Sequence, residues 1–309
     1  MNTEVSAYTP QNNQRRLRWR KARDRVIEAG LLMAGLVAVF TTIAIVVILV
    51  TESLPFFEKV SLKDFLTDTM WTPMFDQPRY GILPLVAGTL VTTMVALLLA
   101  IPCGTIIAIY LSEFATHRVR ETVKPALELL GAVPTVVYGY FALMMVTPFL
   151  QRFMPNLPGF NMLGPGLVIG IMIIPYIASL SEDAMRAVPK YMREGSYAMG
   201  ATRFQTATRV VVPGALSGIA AAYILAISRA VGETMVVAVA AGLQPNLTWN
   251  PTESAATITA FIVQVSLGDL PHDSIGYQAI FAAGLMLMLM TLVFNIGGFV
   301  LTRRFREVY

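Results

Sequence analysis

Six apolar runs, each long enough to cross a lipid bilayer, leave this chain few ways to fold. A hydrocarbon core about 30 Å thick needs about 20 helical residues. Runs of that kind occupy residues 27–51, 82–112, 126–150, 164–181, 214–242 and 278–301. In lipid a segment must satisfy its own backbone hydrogen bonds, which runs of this length do as helices. The sequence therefore predicts an all-α membrane protein with six spans. Charged residues make up only 14% of the 309 positions and hydrophobic ones 55%. A soluble domain carries about 25% charged residues, so a water-solvated fold is excluded.

Basic residues set the expected direction of the spans. Seven of them (Arg15, Arg16, Arg18, Arg20, Lys21, Arg23 and Arg25) crowd the stretch before the first run. Such a cluster is held at the negatively charged cytoplasmic face. With the N-terminus inside, cytoplasmic segments hold 18 Lys and Arg residues, against four outside: Lys59, Lys63, Arg79 and Arg152. The opposite orientation reverses this bias. Both termini are expected in the cytoplasm, giving a basic tail 1–26, a polytopic domain 27–302 and a second tail 303–309. The +4 net charge is spread over tails and loops, which points to membrane lipid and away from nucleic acid. The first run is too long for a signal-peptide core and meets no small-residue cleavage site before Glu52 and Pro55, so it is read as a retained span. Pro102 in the long second run predicts tilt, a kink or a preceding interfacial turn. Pro175 in the short fourth run is tolerable where neighbouring helices cover the freed backbone groups. The outer segments 52–81 and 243–277 read as ordered caps with short turns.

No catalytic or metal-binding constellation is visible. Cys103, the single cysteine, has no partner for a disulfide and no ligand companions. His117 and His272 fall on opposite sides of the membrane, and Glu182 and Asp183 lack a metal-ligand pattern. The run Met286–Met290 reads as adaptable apolar contact.

The segment 182–213, between the fourth and fifth runs, carries the most specific signal. A helix over 181–199, stopped by Gly200 in a left-handed conformation, and a second helix over 202–212 would project a compact knob into the cytoplasm. Pro213 then marks the start of the fifth span. Inside that span stand two charges, Arg229 and Glu233. Each costs about 2.5 to 3.5 kcal/mol at a helix centre, and a spacing of four places both on one helical face where each offsets the other. Such a pair either fixes helix packing or handles an anion, with Arg229 donating to an oxyanion and Glu233 neutralising it between transport events. Thr135, Tyr138 and Thr234 offer further hydroxyl contacts, with ordinary helix packing as the alternative.

The loop from Glu194 through Gly200 to Pro213 resembles the EAA loop of ABC importer permeases, with Gly195 and Ser196 replacing the two alanines. The run from Arg229 through Gly232 and Glu233 to Thr234 is similar to that of the phosphate-importer permeases of the PstC and PstA type, with Ser228 where a glycine is expected. Glu128–Gly139, Trp71–Pro73 and Gly81–Pro84 match the same family, and the order along the chain favours the PstC type. The resemblance implies a type I ABC importer permease fold in the cytoplasmic (inner) membrane of a bacterium or archaeon. It implies an alternating-access path for inorganic phosphate at Arg229 and Glu233, with docking on an ATPase through Glu194, Gly195, Ser196, Gly200 and Pro213. The implied partners are a second, PstA-type permease, two ATPase subunits and an extracytoplasmic phosphate-binding protein. With no GxxxxGK[ST] loop in the chain, ATP and Mg are expected on the ATPase, and this chain carries no cofactor and is no enzyme by itself. The alternatives are import of molybdate or sulfate by the same architecture, an ion-coupled carrier or channel, and a scaffold that reports phosphate status.

Overall fold

The computed structural model describes residues 10–304 apart from 74, 76, 270, 272 and 273. His272 and Arg306 lie outside the described residues. The chain divides at Thr51 into two units, Met1–Thr51 and Glu52–Tyr309. The first apolar run belongs to α1 (Pro10–Lys59), which is helical without a break through the expected border at 26.

In the second unit, α2 (Leu62–Thr67) precedes α3 (Leu83–Ile109), which runs unbroken through Pro102 and ends in a π-turn, Tyr110–Phe114. Then come α4 (His117–Ala132), α5 (Thr135–Phe141), a π-turn at Ala142–Val146, and α6 (Thr147–Gln151). The long α7 (Leu163–Ala187) leads to α8 (Lys190–Ala198), α9 (Arg203–Thr206), a π-turn at Ala207–Val211, and α10 (Val212–Gly214). The chain continues with α11 (Leu216–Val231), α12 (Met235–Ala240), α13 (Ile258–Gln264) and α14 (Ile275–Arg304). Among the described residues, four helices are long and apolar enough to cross a membrane, within 19–59, 83–114, 163–187 and 275–300. Two bent pairs, α4 with α5–α6 at 87° and α9–α10 with α11 at 71°, bring the number to six if each pair crosses as one broken span.

These breaks correct the expected continuous helices at 126–150 and 214–242. Val133 is extended (φ −66°, ψ 132°) because a following proline excludes the helical region, and Pro134 turns the chain there. Ala215 (φ −95°, ψ 5°) separates α10 from α11. A second break, at Gly232–Thr234, divides α11 from α12.

Close packing of α3 on α7 forms the centre of this unit. A Cβ on Gly166 would stand 2.7 Å from Val95 Cγ1, and one on Gly170 would stand 2.8 Å from the Ala96 carbonyl oxygen. Small residues of this kind let helix backbones approach where lipid supplies no hydrophobic drive. Buried Ala96, Ala100, Met172, Ile173, Ala226 and Val236 continue the core from α3 and α7 into α11 and α12. Ser228 hydrogen-bonds Asn295 Oδ1 at 3.1 Å, so the departure from glycine there supplies a polar tie between α11 and α14. At one end, Phe56, Phe65, Trp71, Tyr80 and Phe261 form an aromatic cluster, with Trp71 edge-on to Phe261 at 4.9 Å. The Asp68–Arg79 ion pair at 2.8 Å closes the neighbouring turn. Met286 and Met290 pack against this cluster as apolar contacts.

Candidate functional site

Arg229 and Glu233 do not share a helical face. The helix that carries Arg229 ends at Val231, and Gly232 caps it by donating to the Ser228 carbonyl at 3.2 Å. Beyond that break the buried Glu233 carboxylate accepts hydrogen bonds from the Met235 and Val236 amides, at 3.2 and 3.4 Å. It satisfies the free N–H groups at the start of α12, an anion at the positive end of a helix. Its backbone carbonyl accepts from Thr259 Oγ1 at 2.7 Å, tying the break to α13. The expected intrahelical ion pair is absent, because the helix ends within the four-residue spacing.

Arg229 is left with an aromatic partner. Its guanidinium carbon stands 4.4 Å from the centroid of the Tyr176 ring. Its Nε is buried without a hydrogen-bond partner. A cation–π contact contributes about 0.5 to 2 kcal/mol, less than the insertion cost of about 2.5 to 3.5 kcal/mol for an arginine at a span centre. That contact alone does not offset the cost, and the position of Arg229 in the last turn of α11 adds a favourable term for a cation. Tyr176 also lines a cleft of about 420 Å³ with Glu128, Gly131, Ala132 and Leu225. Gly131 allows the ring to approach, since a Cβ there would stand 3.3 Å from the Tyr176 hydroxyl oxygen.

The other residues expected along the path are arranged differently. Tyr138 donates its hydroxyl proton to the Leu130 carbonyl at 2.7 Å, which closes the α4–α5 bend. Thr234 donates to the Gly232 carbonyl at 3.1 Å and stabilises the break after α11. Thr135 is half-buried at the first turn of α5.

The knob forms as a helix, a glycine turn and a second helix. Pro189 ends α7 early and makes α8 a separate element. Gly200 takes φ +84°. The Ala201 amide donates to the Ser196 carbonyl at 3.1 Å and the Gly200 amide to Tyr197 at 2.9 Å, the paired bonds of a Schellman stop. Thr202 and Gln205 then form a reciprocal capping box at the start of α9. Ser196 Oγ and Thr206 Oγ1, 2.9 Å apart, join the two arms. Glu194, Gly195 and Pro213 are exposed. So are Tyr191, Tyr197, Met199 and Phe204, Met199 at 89%. Pro213 lies in α10, two residues before the bend at Ala215 that leads into α11.

The family model for the binding-protein-dependent transport system inner membrane component matches residues 100–307. The chain belongs to that permease family. It is 34% identical over 276 residues to the probable ABC transporter permease protein YqgH of Bacillus subtilis, covering 89% of this chain and 88% of the relative. It is 33% identical over 262 residues to the phosphate transport system permease protein PstC of Mesorhizobium japonicum, covering 77% and 78%. Among solved structures, a bacterial ABC transporter involved in import of the acidic polysaccharide alginate aligns with TM-score 0.65 at 17% identity, over 94% of this chain and 100% of that one. The fold is that of the type I ABC importer permeases.

Three features of this permease escaped sequence reasoning. Tyr176 carries no charge and follows a proline in an apolar run, so nothing distinguished it from packing. Lys124 on α4 bridges Glu182 and Asp183 on α7, at 2.8 and 2.6 Å, with Glu182 fully buried. Two adjacent acids at a span end were the only signal for that tie. Arg193 on α8 pairs with Glu113 at 3.0 Å, 80 positions away, with no local signature. Among the described residues no cluster of His, Cys, Asp or Glu has the makings of a metal site. His117 sits exposed beside Glu121.

Proposed function

We propose that this chain is one permease subunit of an ATP-driven importer for inorganic phosphate in the cytoplasmic membrane of a bacterium. Both termini and the knob around Gly200 face the cytoplasm, in keeping with the basic-residue bias. The observation that carries the reading is Arg229, a half-buried cation inside an apolar span with an aromatic neighbour, an unbonded Nε and, among the described residues, no carboxylate partner. A guanidinium presents several N–H donors in a planar fork that matches a tetrahedral oxyanion. Its cation–π contact is weak enough for phosphate to compete with it.

The similarity to PstC supports phosphate as the anion. An extracytoplasmic binding protein delivers phosphate, and a second permease of PstA type completes the path. Of two ATPase subunits, which hold ATP and Mg, one docks on the exposed face of the knob at Glu194, Gly195, Tyr197, Met199 and Phe204, and the other docks on the second permease. Closure of the ATPases shifts the bundle between outward and inward access. Glu233 contributes by holding the start of α12 beside the path.

The test is ATP-dependent uptake of radioactive phosphate by the complete complex in proteoliposomes, with sulfate and molybdate as competitors. Phosphate uptake that survives excess sulfate and molybdate and is lost in Arg229→Gln supports the reading. Preferred uptake of a competitor, or normal phosphate uptake by Arg229→Gln, overturns it.

A further inference from the structure

The knob is joined to the end of α7 through Val188 and Pro189. Val188 is extended (φ −60°, ψ 129°) and Pro189 cannot continue the helix hydrogen bonds. By the main chain alone, α8 would swing on this link without moving α7. Met192 on α8 packs against the buried cluster that holds Met185 and Val188, and one charged side chain adds a directional tie that makes the link a fixed joint.

Arg193, on the first turn of α8, folds back across it. Its Nη1 donates to the Val188 carbonyl at 2.6 Å, and its Nη2 to the Met185 carbonyl at 2.7 Å. These carbonyls lie at the negative end of α7, where a cation is favoured, and the Met185 carbonyl also accepts from the Val188 amide at 3.2 Å. The same guanidinium meets Glu113, through Nη2 at 3.0 Å and Nε at 3.3 Å. Glu113 stands on the π-turn that ends α3 and also accepts from Ser112 Oγ at 2.8 Å. The Arg193 and Glu113 side chains are only 16% and 5% exposed. Arg193 thus binds the ends of α3 and α7, the two helices whose close packing forms the centre of the bundle.

We infer that Arg193 is the positioning residue through which movement of the coupling knob reaches α3 and α7. This rests on the proposed docking of an ATPase on the knob. Only a planar fork with several donors meets two carbonyls and a carboxylate together. A lysine at 193 keeps one charged contact and loses the rest. A glutamine at 113 keeps an acceptor and removes the charge. In both variants the exposed docking face is unchanged.

The test uses the complete transporter in proteoliposomes and measures phosphate moved per ATP hydrolysed. Arg193→Lys and Glu113→Gln are expected to co-purify with the ATPase at the wild-type ratio and to hydrolyse ATP within about twofold of the wild-type rate. Phosphate moved per ATP is expected to fall about fivefold or more. A joint that serves folding alone changes the amount of complex and leaves this ratio untouched. An unchanged ratio in both variants, or loss of assembly in both, overturns the inference. Gly200→Val, measured in parallel, separates this from failure of the docking reading. If it transports normally, the knob is not the coupling element; if it is inactive while the Arg193 and Glu113 variants keep the wild-type ratio, only the role of Arg193 falls.

Discussion

Arg229 rests on the face of Tyr176, 4.4 Å from its ring centroid, while Glu233, four positions on, caps the next helix. The two charges are therefore held by different neighbours and are expected to act independently.

That independence has a direct consequence. If the residues formed a buried pair, removing Arg229 alone would strand Glu233, a defect that a second change to Gln at 233 would relieve. With Glu233 held by backbone amides, Arg229→Gln should assemble as well as wild type, and the double variant Arg229→Gln with Glu233→Gln should assemble no better. Both should lack phosphate uptake. Quantities of complex recovered from membranes, compared across the two singles and the double, check this. Rescue of assembly in the double variant would re-establish the pair.

Tyr176 acts through its ring. Tyr176→Phe keeps the aromatic face and should transport within about twofold of wild type. Tyr176→Leu removes it and should lower the maximal uptake rate about 10-fold, from a cation–π contribution of about 1 to 2 kcal/mol at a desolvated site. Initial uptake rates at saturating binding protein measure the difference. Equal rates for the two variants would show that the ring does not position Arg229.

Gly200 holds φ +84°, which a β-branched residue resists at a cost of about 1 to 2 kcal/mol. Gly200→Val should unravel the Schellman stop and displace Met199 while the chain stays in the membrane. ATPase co-purification and phosphate uptake should fall together. Retention of both would separate the turn from coupling.

Orientation is open to chemical labelling. Single cysteines at Arg203 and Thr252, in a background with Cys103 replaced by Ser, should react from opposite sides of the membrane. An impermeant thiol reagent added to whole cells, with the outer barrier permeabilised, should label 252 and spare 203. Labelling of 203 from outside would reverse the proposed topology.

Much of this molecule was legible in order of residues alone. Length and hydrophobicity of the apolar runs required helices, because lipid leaves backbone groups no other partner. Gly200 announced its turn because only glycine takes that backbone conformation without strain, and the short-range bonds of the knob followed from residues a few positions apart. What a one-dimensional spacing could not supply was direction. Arg229 and Glu233 look paired at four residues, yet Gly232 ends the helix between them, and the free amides of α12 compete for the carboxylate. Pro134 and Ala215 likewise bend two expected spans. The tertiary structure alone brought Tyr176 to Arg229, Lys124 to Glu182 and Arg193 to Glu113. Those contacts arise where separate helices pack, so no local periodicity encodes them, and in lipid they depend on how closely small residues let the backbones approach.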